Sequence, residues 1–196
     1  TADAKTKVYG AANPALTATI TGFANGETLA TSGITGAASV TTTATALTGV
    51  GSATLTAAVG NLVSANYAFT FTDGALTITK APLTVTANPV GRAYGAANTA
   101  LTATLTGFVN GETLGTSGVT GTAAVTTTAT LTSPATTYVI TPALGDLAAA
   151  NYAFATFTDG VLTVGQKALT VTADAKTKVY GAANPALTAT ITGFAN

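Results

Sequence analysis

Apolar and polar residues alternate on both sides of Asp73-Gly74 through Ala65–Thr79, and the pattern returns almost letter for letter at Ala150–Val164. Period two marks a half-buried strand, and Asp-Gly tolerates the positive φ angles of a two-residue type I′ turn. Each stretch is therefore predicted to be a hairpin. Pairing outward from the turn sets Phe71 opposite Leu76 and Phe69 opposite Ile78 on one apolar face, with Thr70 and Thr77 on the other.

Further alternating stretches predict the remaining strands. Leu16, Ala18 and Ile20 alternate with Thr17, Thr19 and Thr21, as Leu101, Ala103 and Leu105 do with Thr102, Thr104 and Thr106. Ala53, Leu55 and Ala57 form another set, aligned with Tyr138, Ile140 and Pro142. Pro82–Ala87 and Ala168–Ala173 read as a first strand, of which the first repeat holds only Thr1-Ala2. Gly10 with Asn13-Pro14, and the pairs Asn25-Gly26 and Asn110-Gly111, punctuate turns. The segment Glu27–Ala46 predicts short strands joined by loops, with one helical turn at Glu27–Ala30. Tyr152 to Asp159 is one residue longer than Tyr67 to Asp73, which predicts a β-bulge at Ala155–Thr156.

Tyr9-Gly10, Tyr94-Gly95 and Tyr180-Gly181 recur at spacings of 85 and 86 residues, and residues 1–25 reappear unchanged as 172–196. The expected division is a first repeat over 1–80 with its first strand truncated, a second over 81–165, and the beginning of a third over 166–196. The expected fold class is all-β, with tandem small antiparallel β-sandwiches of immunoglobulin-like type and about seven short strands each. A β-grasp-like repeat is the alternative, which a helix of more than two turns in Glu27–Ala46 would favour. Junctions are short, Thr79-Lys80-Ala81-Pro82 and Gly165-Gln166-Lys167-Ala168, so a semi-rigid rod is expected, bending more easily at Gly165. The first repeat lacks letters matching Ala168–Val171, which reads as a segment of a longer chain. In 172–196 Leu187, Ile191 and Phe194 should lie uncovered, so either a downstream remainder or a neighbouring molecule is expected to supply the missing strands.

Only 7% of the residues are charged, and the formal net charge is zero. Such neutrality supplies no electrostatic footprint for nucleic acid or an anionic membrane. The mean hydropathy of +0.46 is high, but Thr interrupts every apolar segment before it reaches spanning length, so no membrane span is expected. Without Cys no disulfide staples these repeats, and each must rest on its own small core. The low charge also removes the lysines with which natural sheets block edge-to-edge pairing, which predicts self-association, lateral or head-to-tail.

Catalytic chemistry finds little support. With neither His nor Cys the ordinary nucleophile–base pairs are missing, and the carboxylates Glu27, Glu112, Asp73 and Asp159 are isolated letters in turns, read as structural. Calcium wants a cluster of oxygens, whereas no two acidic residues lie within a dozen positions. No metal, cofactor, catalytic or ligand-binding residue is therefore assigned. No lysine position is shared by both complete repeats, which disfavours a repeat-wide isopeptide crosslink. Asp3, Lys5 and Lys7, like Asp174, Lys176 and Lys178, read as a solvated strand face with weak ion pairs. Tyr67, Phe69 and Phe71 read as core rather than as a sugar platform.

The Tyr-Gly turn, Asn-Gly-Glu-Thr-Leu, Ala-Asn-Tyr-Ala-Phe and Thr-Asp-Gly-x-Leu-Thr follow in this order, and as an ordered set the chain resembles the MBG-type (YGX) repeat domain along essentially all its length. Thr99 departs from the Pro at Pro14 and Pro185, and Ala53 from the usual strand aromatic; both concern packing. The resemblance implies an extracellular, nonenzymatic repeat of very large bacterial surface and secreted adhesins, acting as a stalk or spacer or building a matrix fibre. The competing expectation is a module in which each repeat binds glycan or host protein. Such a ligand is otherwise expected at an unseen tip domain.

Overall fold

The computed structural model describes residues 1–195. The expectation of an all-β chain holds: among the described residues the regular structure is strand, with no helix. In the first repeat β1 (Lys5–Val8), β2 (Ser39–Thr41), β3 (Gly51–Ala58) and β4 (Gly74–Thr79) form a sheet of order β1-β4-β3-β2. In the second repeat come β5 (Ala81–Ala87), β6 (Val90–Ala93), β7 (Ala103–Thr106), β8 (Ala124–Thr127), β9 (Thr137–Ala143), β10 (Tyr152–Thr158) and β11 (Gly160–Gly165). Four of them repeat the first sheet as β6-β11-β9-β8, and the others form β10-β5-β7. In the third repeat β12 (Thr170–Ala173) and β13 (Ala189–Thr192) make a two-stranded sheet.

The two four-stranded sheets are mixed, which corrects the expectation of antiparallel pairing throughout. β1 runs parallel to β4 with Lys5 opposite Leu76, and β6 runs parallel to β11 with Val90 opposite Leu162. Antiparallel pairs are β2 with β3, β3 with β4, β8 with β9, β9 with β11, and β12 with β13 among the described residues. No helix of two turns forms in Glu27–Ala46. Instead Thr31 N–H and Ser32 N–H both donate to Thr28 O, closing one tight turn.

The predicted Asp-Gly hairpins do not form. Leu76 lies opposite Lys5 and Ala53, and Ile78 opposite Lys7 and Gly51, so neither faces Phe71 or Phe69. At Gly74 and Gly160 the chain instead enters the four-stranded sheet, and neither glycine has positive φ. Their role is close approach: a Cβ on Gly74 would lie 2.5 Å from Ala2 O, and one on Gly160 2.5 Å from Ala87 O. Period two was read correctly, but its partner strands lie far away in sequence. β10 spans the position of the expected bulge at Ala155–Thr156, and along it the residues from Ala155 to Thr158 are all exposed.

The chain packs as two compact units. One comprises Thr1–Thr84, Leu105–Thr122 and Asp146–Thr156; the other comprises Val85–Thr104, Ala123–Gly145 and the chain from Phe157 on. The core of the first gathers Leu55, Leu76, Ile78, Leu83 and Tyr152, and that of the second gathers Ala87, Ile140, Leu162 and Val164. Alternation explains the selection: along β3, Leu55 and Ala57 point inward while Thr54 and Thr56 face solvent. Each fully buried Leu or Ile contributes about 1.5–3 kcal/mol. In the third repeat Leu187, Ile191 and Phe194 are exposed, as expected from so short a segment.

Candidate functional site

The first compact unit brings two recurring motifs of consecutive repeats together. Tyr9 follows β1, held by its N–H donating to Thr79 O at 2.8 Å, and Gly10 at φ 84° turns the chain away. A side chain on Gly10 would collide with Val109, 2.4 Å from its Cγ2, so only glycine allows this approach. On the other side Asn110 (φ 57°) and Gly111 (φ 72°) form the predicted Asn-Gly turn, closed by Glu112 N–H donating to Val109 O at 3.0 Å. That turn presents Glu112.

Glu112 accepts two phenolic hydroxyls, one on each carboxylate oxygen. Tyr9 donates to Oε1 at 2.6 Å and Tyr152 to Oε2 at 2.5 Å. Val109 N–H donates to the Tyr152 hydroxyl at 3.2 Å, so that oxygen gives one bond and receives another. The rings pack edge to face, Tyr9 on Tyr152 at 5.6 Å and Phe108 on Tyr152 at 5.5 Å between centroids. Around them Asn110 Nδ2 donates to Ala46 O at 3.2 Å, Val50 N–H to Asn151 Oδ1 at 3.0 Å, and Lys80 Nζ to Ala149 O at 2.8 Å.

The electrostatics follow from this geometry. The hydroxyl of Tyr152, and then that of Tyr9, hold the Glu112 carboxyl below its ordinary value. Burial, reinforced by Glu112, pushes Tyr152 up to about 12, and the bond to Glu112 followed by burial raises Tyr9. Near neutral pH the carboxylate is charged with both oxygens engaged, and the phenols keep their protons. The arrangement is a strut, with neither a base nor a nucleophile offered to a substrate.

The first repeat holds the same parts without the third member. Glu27 accepts the Tyr67 hydroxyl through Oε2, Ala24 N–H donates to that hydroxyl at 3.1 Å, and Phe23 lies edge-on to Tyr67. In the second compact unit Tyr94 follows β6 as Tyr9 follows β1, but it is 37% exposed against 4% for Tyr9. A Cβ on Gly95 would meet Ala195, which stands where Val109 stands opposite Gly10.

Other charged residues serve the frame. Lys7 is buried, which corrects its placement on a solvated face: Nζ donates to Thr45 O at 2.6 Å and Ala11 O at 3.2 Å, clasping the turn after Tyr9. Arg92 does the same in the second repeat, from Nη2 to Thr130 O at 2.5 Å and from Nε to Asn98 Oδ1 at 2.6 Å. Asp3 accepts Thr17 and Thr19 hydroxyls, whose bonds lower its carboxyl, Thr17 first. Asp174 holds Thr188 and Thr190 likewise, and Asn88 bonds Thr102 and Thr104. Asp73 Oδ1 accepts Ala57 N–H at 3.0 Å. Hollows among the described residues include a groove of about 230 Å³ beside residues 18–23 and 67–72 and, in the second unit, one of about 510 Å³ beside Tyr94, Leu169 and Phe194.

The MBG domain (YGX type) profile matches residues 1–77, 83–163 and 169–196. The chain belongs to this family. The three matched segments place Tyr9, Tyr94 and Tyr180 in successive MBG repeats, so the bond from Tyr9 to Glu112 joins one MBG repeat to the next. Neither a curated protein nor a solved structure matches the chain. The Tyr–Glu–Tyr arrangement was not foreseen from the residues. Its signal was present in the recurrence of Tyr-Gly in all three MBG repeats and of Asn-Gly-Glu in the first two, but nothing local links one repeat's tyrosine to the next repeat's glutamate.

Proposed function

We propose that this MBG chain is a nonenzymatic structural repeat, a stalk or spacer of an extracellular bacterial adhesin or matrix fibre. The observation that carries the reading is Glu112, whose carboxylate is consumed by one hydroxyl from its own repeat and one from the repeat before. A half-buried charge with both oxygens paired favours a fixed spacing between repeats over chemistry on a ligand. The family match and the scarcity of charge agree with a passive extracellular element.

Single-molecule stretching of the full chain tests this proposal. A spacer should resist force through the link between repeats, so Tyr9→Phe should lower the unfolding force of the first event while binding to a panel of glycans and extracellular matrix proteins stays at background for both forms. Saturable binding of one such ligand by the unmodified chain, abolished by surface substitutions that leave stability intact, would overturn the spacer reading in favour of a binding module.

A further inference from the structure

Ala46 O is a node of the contact between the first two repeats: it accepts Gly10 N–H and Asn110 Nδ2, both at 3.2 Å. Gly10 belongs to the turn that follows Tyr9, and Asn110 to the turn that presents Glu112. The Asn110 amide is thus a tie between repeats, and it also stands next to an unshielded peptide nitrogen. A Cβ on Gly111 would have nothing within 4 Å of it. Among the described residues no hydrogen bond occupies the Gly111 N–H. Asn110 and Gly111 are exposed, so water reaches the turn.

We propose that Asn110-Gly111 is a self-modification site whose co-reactant is water and whose rate is set by the opening of the contact between these repeats. The Gly111 nitrogen attacks Asn110 Cγ. A C–N bond forms, the Cγ–Nδ2 bond breaks, and Nδ2 leaves as ammonia with the proton from Gly111. Water then opens the cyclic imide, at Cγ to leave aspartate or at the main-chain carbonyl to leave isoaspartate, in which the backbone runs through the side chain. One water enters and one ammonia leaves; nothing is oxidised or reduced. Asparagine is thermolabile by this route, and glycine in the next position removes the side chain that would hinder ring closure.

The closed contact restrains the reaction. Both residues sit at positive φ, 57° and 72°, in a turn shut by Glu112 N–H on Val109 O at 3.0 Å, and the bond to Ala46 O holds the amide to the first repeat. Ring closure needs that bond released and the turn reshaped, so it proceeds from the locally opened form. The product does not restore the contact. Aspartate presents a carboxylate oxygen to Ala46 O, acceptor against acceptor, and sets a second negative charge two residues from Glu112. Isoaspartate lengthens the backbone by one methylene between Val109 and Glu112, which displaces the carboxylate from the hydroxyls of Tyr9 and Tyr152. An opening that lasts long enough is thus recorded as a permanent loosening of this one contact. None of this chemistry depends on the chain being a spacer.

The test incubates the full chain at neutral pH and digests samples at intervals. The peptide containing residue 110 is followed by mass spectrometry, with isoaspartate and aspartate forms separated by chromatography. Conversion at Asn110 is expected, slower than in the same chain held in urea, where the turn is open. Tyr9→Phe removes one bond across the contact and should speed conversion about 5- to 30-fold, the change in open population that the loss of one such bond produces. Asn25-Gly26 is the internal control, the same dipeptide at φ 53° and 70°, followed by a Glu27 that Tyr67 bonds and Tyr9 does not, so its rate should not respond. Asn110→Asp, which makes one product directly, should unfold at lower urea concentration than wild type. The proposal is overturned by equal rates at Asn110 in the native and urea-held chains, or by no conversion of the native chain once the urea-held chain is complete. It is equally overturned by a Tyr9→Phe acceleration that is as large at Asn25, or by an Asn110→Asp chain as stable as wild type.

Discussion

The hydroxyl of Tyr9 donates to Glu112 Oε1 at 2.6 Å across 103 residues of sequence, while Glu112 Oε2 holds Tyr152 of its own repeat. Removing the Tyr9 hydroxyl alone separates the bond from the ring packing. Tyr9→Phe should destabilise the chain by about 1–2 kcal/mol, the range for a hydrogen bond to a charged group at a partly exposed site. The matched change Tyr94→Phe, at the exposed equivalent position, should stay within about 0.5 kcal/mol. Urea titrations of both variants make the comparison.

Because the phenols hold the Glu112 carboxyl below its ordinary value, folding binds fewer protons than unfolding there. That contribution is present above the unfolded carboxyl value, about 4.3, and is lost as pH falls through the lower folded value. At the other end Tyr152, raised to about 12, contributes stability below its ordinary value of 10.0 and loses it as pH rises toward 12. Melting temperatures of wild type and Glu112→Gln against pH should therefore converge in acid, where the wild-type carboxyl is protonated. A constant difference across the acid limb would contradict the assignment.

Gly160 and Gly111 are both glycines but for different reasons. A methyl on Gly160 meets the backbone at Ala87 O, so Gly160→Ala should cost about 2–3 kcal/mol through overpacking. Gly111 has open space around its missing Cβ and needs glycine only for φ 72°, so Gly111→Ala should cost about 1 kcal/mol. Thermal denaturation ranks the pair.

Arg92 and Lys7 do the same work in different repeats, each turning a cation onto backbone carbonyls. Arg92→Lys should therefore cost less than about 1 kcal/mol, whereas Arg92→Ala, which strands Thr130 O and Asn98 Oδ1, should cost about 2–3 kcal/mol. Denaturant midpoints at constant slope decide it.

How much was legible can be judged from particular residues. Leu55, Leu76, Ile78, Ile140 and Leu162 were readable as inward positions because period two depends only on backbone geometry, and all are buried. The Asn-Gly turns were equally local, and Asn110 and Gly111 both take positive φ. The Asp-Gly stretch misled because the same letters suit a tight turn and a crossing into another sheet; only the nearness of Ala2 and Ala87 selects the second. Lys7 read as solvated because nothing in its neighbourhood of sequence announces the carbonyl of Thr45.

Residue order alone determined the repeats, the inward positions of β3, β4, β9 and β11, the all-β class and the family, since each can be read from spacing along the chain. Tertiary structure alone decided that β1 lies parallel to β4, that Gly74 serves proximity, and that Tyr9 closes on Glu112. Alternation says which side of a strand is apolar but is silent on what covers it. Partners separated by tens of residues are chosen by where backbones approach closely enough to share hydrogen bonds.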